Sequence, residues 1–428
     1  MSADAKKTSR WTWIPSLYFA EGLPFVAVMT VSVIMYKKLE LTNSEIAFYT
    51  SWLYLPWIIK PLWSPLVDIL RTRRYWIVAM QLLIGAAFAA IAFTIPGDNF
   101  LRYSLAAFWL VAFSSATHDI AADGFYILSL TDHEQAWFVG IRNTFYRLAM
   151  ITGQGLLVMV AGYLETSVEN VPLAWSITFY LLAALYLMLF AWHRRMLPRP
   201  DADIDGRVES LQGLITKFTD TFVAFFRKAH VGKLLAFLLL YRIAEAQLVK
   251  LAAPFLLDER TVGGLGLGTA EVGFVYGTVG ALMLTIGGIA GGLLAAKQGL
   301  KYWLWWMVAA INLPNAVYIF LAWVQPESFL LVNLAVGVEQ FGYGFGFTAY
   351  TLYMIYISRG EHSTAHFAIC TGFMALGMML PGLFSGALQE WLGYPRFFSW
   401  IMIATIPSFI VVAMIPLDAS FGRKDDTS

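Results

Sequence analysis

The fold is decided by the stretch Lys60-Pro-Leu-Trp-Ser-Pro-Leu-Val-Asp-Ile-Leu-Arg-Thr-Arg-Arg74, in which a long apolar run ends in a basic turn. A second stretch, Gly292-Leu-Leu-Ala-Ala-Lys-Gln-Gly-Leu-Lys301, ends another apolar run in the same way. A helix needs about 20 mainly apolar residues to cross a bilayer, and both runs are long enough. The two stretches stand at matching places in the two halves of the chain, which indicates an internal repeat of membrane-spanning helices.

The composition of the 428-residue chain is that of a membrane protein, because 59% of its residues are hydrophobic and only 13% are charged. Soluble domains carry about 25% charged residues. The net charge of +1 excludes a large basic face for nucleic acid. The single cysteine, Cys370, excludes an internal disulfide and a thiolate metal site. We therefore expect no metal and no cofactor.

Twelve apolar runs predict an all-α integral membrane protein with twelve transmembrane helices. The runs cover approximately residues 11–36, 44–68, 74–95, 103–130, 137–163, 172–193, 234–257, 268–296, 302–324, 328–357, 363–390 and 394–416. Most lysine and arginine residues outside the runs fall on the side of the two termini. Because positive charge marks the cytoplasmic side, we expect both termini in the cytoplasm.

A polar gap after the sixth run divides the chain into two groups of six. We predict an N-terminal six-helix bundle over residues 1–195, a cytoplasmic linker over 196–232, and a C-terminal bundle with a short tail over 233–428. Within the linker, apolar residues recur at helical spacing between Leu211 and Phe226. This spacing predicts an amphipathic helix, which either packs on the bundle ends or lies on the inner membrane face.

Glycines repeat every four residues in the eighth run, as Gly287-x-x-x-Gly291 and Gly288-x-x-x-Gly292. Small residues at this spacing share one helix face and let a neighbouring backbone approach closely. We therefore predict close helix packing at these glycines.

Both quoted stretches fit, in degenerate form, the loop motif G-x-x-x-D-R-x-G-x-R-R, and the chain resembles the major facilitator superfamily over nearly its whole length. The resemblance implies two six-helix bundles and transport by alternating access. A carboxylate that pairs with a basic helix end can hold one of two global arrangements. We expect a gating role for Asp68, Arg71, Arg73, Arg74, Arg142, Lys297 and Lys301. Arg71, Arg73 and Arg74 are expected to set topology as well.

Charged residues inside the apolar runs are costly, so they are candidates for function. The acids are Glu21, Asp119, Asp123, Glu245 and Glu339, and the bases are Lys60, Arg142, Arg147, Arg242 and Lys250. A short turn near residues 131–134 joins runs four and five, so Asp123 lies level with Arg142 and Asp119 level with Arg147. We predict a ladder of two ion pairs. Three interpretations stay open: a structural link, proton transfer by the acids, and binding of an anionic or polar cargo by the arginines.

Run seven carries Arg242 and Glu245, which are three residues apart and are therefore expected to touch. The resemblance implies that runs one, four, seven and ten line a central cavity. We expect proton coupling by Asp119, Asp123, Glu245 and Glu339. We expect cargo binding by Lys60, His118, Arg147, Arg242 and Glu21.

Several motifs are more specific: Glu21-Gly-Leu-Pro24, Leu62-Trp-Ser-Pro-Leu-Val-Asp68, His118-Asp-Ile-Ala-Ala-Asp123 and Tyr146-Arg147. They resemble the AmpG-type permeases, in the group that also contains eukaryotic acetyl-CoA transporters. The resemblance covers about residues 15–415; it departs at His118, where glutamine is common, and at Glu21, which is not general. It implies proton-driven import of a muropeptide or amino sugar during peptidoglycan recycling. The protein would then be a multi-pass bacterial inner-membrane monomer, with lipid, cargo and protons as partners.

Other functions share some of these features. A major facilitator transporter of another sugar or of an acyl-nucleotide would share all of them. A membrane-embedded transferase would use His118 and Asp119 as catalytic groups, but no activated nucleophile stands beside His118, so we expect no enzyme. A receptor would bind wall fragments without accumulating them.

Overall fold

The computed structural model describes residues 9–200, 203, 211–360, 363–418 and 421. All regular structure in these ranges is helical, which confirms the all-α prediction.

The helices of the first half follow one another with short connections. They are α1 (Ile14–Val26), α2 (Ser32–Lys38), α3 (Asn43–Trp52), α4 (Leu55–Leu70), α5 (Arg73–Thr94), α6 (Phe100–Ser129), α7 (Asp132–Ile151), α8 (Val158–Val168), α9 (Val171–Met196) and α10 (Leu211–Phe226). π-helical turns at Ala27–Val31 and Thr152–Leu157 join α1 to α2 and α7 to α8. Helix α10 lies in the stretch for which the sequence predicts a linker helix.

The second half repeats this pattern of long and interrupted helices. They are α11 (Val231–Leu240), α12 (Ile243–Leu257), α13 (Thr269–Phe274), α14 (Ala281–Gln298), α15 (Leu300–Asn312), α16 (Ala316–Val324), α17 (Phe329–Ser358), α18 (Ser363–Leu392), α19 (Tyr394–Ile403) and α20 (Ile406–Met414). A π-helical turn at Val275–Gly280 joins α13 to α14.

Nine helical segments within the described ranges are long and apolar enough to cross a membrane. They correspond to predicted runs one, three to six, eight, nine, eleven and twelve. The other three runs are helical as well, but run two is interrupted after Trp52 and run seven after Leu240. Run ten is the continuous helix α17, which carries Glu339 in its middle. The total of twelve spans stays a prediction.

Contacts group the chain into two compact units. The first unit comprises residues 1–32 and 59–211, and the second comprises 33–58 and 212–428. Residues 33–58 belong to the second unit because α3 packs along α18. The domain limits predicted from the sequence, at 195 and 232, stay a prediction about topology.

In the first unit, α1 packs closely against α7. A Cβ atom on Gly22 would lie only 2.9 Å from the carbonyl oxygen of Tyr146 and 3.0 Å from Cβ of Ala149. A larger residue would push the two helices apart, so glycine allows this approach. The contact sets Glu21, the neighbour of Gly22, beside α7.

In the second unit, α14 packs against α17 through the predicted glycines. A Cβ on Gly287 would meet the backbone of Phe341, and one on Gly291 would lie 2.9 Å from the carbonyl oxygen of Phe345. A Cβ on Gly292 would meet no atom of the described residues within 4 Å. The prediction of close packing is confirmed at Gly287 and Gly291, whereas Gly292 faces open space.

This contrast gives a matched pair of variants. We expect Gly287→Leu to lower the unfolding temperature by several degrees, because a side chain forced into a packed contact costs about 1–3 kcal/mol. Gly292→Leu should unfold close to the wild-type temperature, because its side chain has room. Thermal unfolding of the two purified variants in detergent measures the difference, and equal stability of both would contradict the α14–α17 packing.

Candidate functional site

The first unit carries two ion pairs in the middle of its helices. Lys60 of α4 donates a hydrogen bond to Asp119 of α6, and the two side chains are 24% and 20% exposed. Arg142 of α7 pairs with Asp123 of α6, with 2.5 Å between Nη2 and Oδ1. The two acids are one helical turn apart, so both pairs lie on the same side of α6.

The predicted ladder is therefore half right. The pair Asp123–Arg142 is confirmed, but the pair Asp119–Arg147 is wrong, because Asp119 pairs with Lys60. The physical reason is the spacing of the arginines: five residues turn a helix by about 500°, so Arg147 points about 140° away from Arg142. Arg147 is exposed and forms no hydrogen bond or ion pair with the part of the chain that the structure describes.

Aromatic rings surround the Arg142 guanidinium. Its carbon lies 4.4 Å from the ring centroid of Tyr18 and 5.5 Å from that of Tyr126. Cation–π contacts of this kind stabilise a cation that has left bulk water. They hold Arg142 against α1 and α6 while it pairs with Asp123.

Glu21 of α1 completes this cluster. It is 7% exposed, and its Oε2 atom is buried without a hydrogen-bond partner among the described residues. Its carboxyl group lies within hydrogen-bonding reach of Asp119. The cluster therefore joins α1, α4, α6 and α7 through Glu21, Lys60, Asp119, Asp123 and Arg142.

His118 belongs to a different, fully buried network. Its Nε2 atom lies 2.9 Å from Nε2 of Gln81, and Oε1 of Gln81 lies 2.9 Å from Nδ1 of His193. Nε2 of His193 lies 2.9 Å from the hydroxyl of Ser16. The amide of Gln81 can satisfy both rings only if it donates to His118 and accepts from His193, so His118 presents an unprotonated Nε2. The cargo-binding role of His118 stays a prediction, and its partners Gln81 and His193 were missed in the sequence.

In the second unit, Arg242 turns to aromatic partners. Its Nη2 donates to the hydroxyl of Tyr343 at 2.6 Å, and its guanidinium lies 4.9 Å from the ring of Phe347. The predicted contact with Glu245 is wrong at the level of hydrogen bonding, because both Glu245 carboxyl oxygens are buried without a hydrogen-bond partner in the part of the chain that the structure describes. Arg242 sits at the break between α11 and α12, with φ −114°, so helical spacing does not apply to this pair.

Glu339 and Lys250 also find neutral partners. Glu339 accepts from Gln340 at 3.0 Å and from Tyr318 at 3.5 Å. Lys250 donates to the hydroxyl of Thr50 at 2.9 Å. Together with Glu245, these residues place buried charge-bearing groups on α12 and α17 of the second unit.

The predicted gating residues of the first unit tie helix ends together. Arg73 donates to the carbonyl of Gly124 at the end of α6, and Arg74 donates to the carbonyl of Leu197 after α9, at 3.2 Å. Asp203 accepts from the backbone N–H groups of Arg73 and Arg74 at 2.8 and 3.0 Å, which caps the start of α5.

The other gating candidates are solvent-facing or lie outside the described side chains. The guanidinium of Arg71 lies 5.7 Å from the ring of Tyr75. Lys297 and Lys301 are exposed around the end of α14. The side chain of Asp68 lies outside the described part, although its backbone continues α4. All gating roles stay predictions.

A polar network in the second unit was missed in the sequence. Lys37 pairs with Asp258 at 2.7 Å and donates to Asn43 at 2.9 Å. Asn43 donates to Gln389 at 2.7 Å, and Tyr394 donates to Asp258 at 2.6 Å. This network fixes residues 33–58 onto α12, α18 and α19.

Membrane-capable helices that carry paired charges in their middle define a class: a multi-pass α-helical membrane protein. A sequence model described as the Major Facilitator Superfamily matches residues 16–366, and the chain belongs to that superfamily. Its members are secondary transporters rather than enzymes, and the chain is a multi-pass inner-membrane protein.

Known proteins resemble the chain over most of its length. The anhydromuropeptide permease of Escherichia coli (strain K12) is 26% identical over 415 residues, which cover 96% of this chain and 80% of that protein. The nucleoside transporter NupG has a similar structure, with a TM-score of 0.68 at 14% identity, over 96% of this chain and 100% of that chain. The D-xylose-proton symporter gives a TM-score of 0.64 at 14% identity, over 95% and 97%. At these identities the two structures show the shared fold alone.

Proposed function

We propose that the protein imports a cell-wall-derived muropeptide or amino sugar across the inner membrane, driven by protons, through alternating access. The observation that carries the cargo is the 26% identity to the anhydromuropeptide permease over 96% of this chain. Cytoplasmic termini and a monomer are part of the proposal.

The charged groups of the first unit support the proposal for cargo and coupling. Arg147 is an exposed cation in the middle of a membrane helix, which is costly in lipid and acceptable beside a water-filled path. A guanidinium there can bind a carboxylate of a peptide-bearing cargo through two parallel hydrogen bonds. Lys60 and Asp119 remain partly exposed, so cargo or water can reach them.

The second unit supports a coupling role for buried acids. Glu245 and Glu339 are 1% and 2% exposed, and Glu245 has no hydrogen-bond partner within the described ranges. Burial without a partner strongly disfavours the charged form of a carboxyl group. We assign proton coupling to Asp119, Asp123, Glu245 and Glu339, and cargo binding to Lys60, His118, Arg147 and Arg242.

Counterflow tests the cargo without relying on a proton gradient. Proteoliposomes loaded with unlabelled anhydro-muropeptide should take up labelled anhydro-muropeptide at least tenfold faster than protein-free vesicles. Excess external N-acetylglucosaminyl-anhydro-N-acetylmuramic acid should compete, whereas xylose, nucleosides and an acyl-nucleotide should not. Counterflow of one of these other compounds, without counterflow of the muropeptide, would show that this compound is the cargo instead. Binding without exchange would identify a receptor.

A further inference from the structure

The charge cluster of the first unit contains one more acid than it has cations. Lys60 is committed to Asp119, and Arg142 is committed to Asp123. Glu21 remains, and no ion pair joins it to a cation among the described residues. A buried carboxylate without a cation is strongly unfavourable, and it takes up a proton instead.

The geometry around Glu21 shows where such a proton lies. The Glu21 carboxyl is within hydrogen-bonding reach of the Asp119 carboxyl. Two carboxylates repel each other at this range, whereas a protonated carboxyl group donates and a carboxylate accepts. Lys60 donates to Asp119, which keeps Asp119 in its charged, accepting form. The proton therefore lies on Glu21.

Several titratable groups on the neighbouring helices face Glu21. Among the described residues, the titratable groups that interact with Glu21 are Tyr18 of α1, Lys60 of α4, Asp119 and Asp123 of α6, Arg142 and Tyr146 of α7, and Tyr186 of α9. The hydroxyl of Tyr186 donates to the carbonyl of Ala20 at 2.5 Å, so it is not available to the Glu21 side chain. Arg142 is held by Asp123 and by two aromatic rings.

We propose that Glu21 and Asp119 form a proton-binding site, in which Glu21 carries one proton and donates it in a hydrogen bond to Asp119. The inference rests on the proposed proton-coupled transport and changes the expected role of Glu21 from cargo binding to coupling. The step is a plain proton transfer: hydronium donates a proton to one Glu21 oxygen and leaves water, and release breaks the same O–H bond and forms hydronium again. Proton binding by Glu21 depends on the Lys60–Asp119 ion pair, because without Lys60 the Asp119 carboxylate would compete for the proton.

The test compares Glu21→Gln with Glu165→Gln in proteoliposomes. Glutamine imitates the protonated form, since its amide can donate to Asp119, and it cannot release a proton. We expect the ratio of gradient-driven uptake to counterflow to fall at least tenfold in Glu21→Gln. Glu165, which accepts from the indole of Trp175 at 2.8 Å, lies outside the cluster, and Glu165→Gln should keep the wild-type ratio. An unchanged ratio in Glu21→Gln, with both activities falling together, would overturn the inference and support cargo binding.

An infrared measurement makes the inference independent of the cargo. Infrared spectra of the reconstituted wild-type protein should contain a C=O stretching band of a protonated carboxyl group. This band should disappear in Glu21→Gln and stay in Glu165→Gln. Persistence of the full band in Glu21→Gln would overturn the proton site even if transport is proton-coupled. Absence of uptake in the wild type would instead remove the proposed function, while the infrared band would still decide the protonation of Glu21. Unfolding temperatures of both variants confirm that they are folded.

Discussion

Replacing Lys60 with methionine is expected to reduce uptake at least tenfold and to destabilise the protein. The change leaves Asp119 without its cation in a site where Glu21 is a second acid. Removing one partner of a fully buried ion pair costs about 3–5 kcal/mol. Because 24% of Lys60 and 20% of Asp119 are exposed to solvent, we expect about 3 kcal/mol or less. Thermal unfolding in detergent and counterflow in vesicles measure the two effects.

The double variant Lys60→Met with Asp119→Asn separates the structural from the functional interpretation of this pair. Replacing both ions of a buried pair with neutral residues is often close to neutral for stability. We expect the unfolding temperature to return near the wild-type value while uptake stays lost. Wild-type uptake by the double variant would show that the pair only links α4 to α6. A wild-type unfolding temperature in Lys60→Met alone would contradict the pair itself.

The second large effect is expected from Arg147→Gln. Arg147 makes no hydrogen bond or ion pair with the described part of the chain, so its loss should leave the unfolding temperature unchanged. A hydrogen bond to a charged group contributes about 1.5–3 kcal/mol. We therefore expect the half-saturating concentration of a carboxylate-bearing muropeptide to rise about tenfold or more. Arg147→Lys should give an intermediate value, because lysine keeps the charge and loses the bidentate geometry.

Arg142→Gln is the matched control for this prediction. Arg142 pairs with Asp123 and packs on Tyr18 and Tyr126, so its loss should lower the unfolding temperature. If Arg147→Gln instead destabilises the protein and leaves the affinity for the cargo unchanged, Arg147 does not belong to the cargo site.

The sequence predicts the helical architecture well because the bilayer imposes a simple rule on length and polarity. Each predicted run is helical in the structure, and the glycine spacing identifies the tight contact at Gly287. The pattern does not reveal that Gly292 faces open space. Tertiary packing decides which face of a helix meets a neighbour. Glycines repeated every four residues can lie on a packed face or on an open face, so the spacing alone does not distinguish them.

The pairing of charges is predicted only where local geometry decides it. Asp123 and Arg142 are correctly paired because a short turn sets their depth. The partner of Asp119 is Lys60, which lies 59 residues earlier in the chain on another helix, and no local spacing indicates that contact. Arg242 forms no hydrogen bond with Glu245 in the described part of the chain, because α12 begins just after Arg242, an interruption that the apolar run conceals.

The networks that were missed have the same explanation. Gln81 bridges His118 to His193 from three different helices, and each residue alone is an ordinary polar residue in an apolar run. Lys37 and Asp258 stand at the ends of runs one and seven, where charges are expected for topology alone. Only the fold brings such pairs together.

The most direct test of the central claim is uptake of labelled anhydro-muropeptide into proteoliposomes, with and without an inward pH gradient. Wild type and Asp119→Asn are compared in vesicles of known orientation. We expect accumulation above the external concentration only with the gradient, and we expect Asp119→Asn to abolish it. Equal uptake with and without the gradient would contradict proton coupling, and no uptake by correctly oriented, folded wild type would contradict the muropeptide cargo.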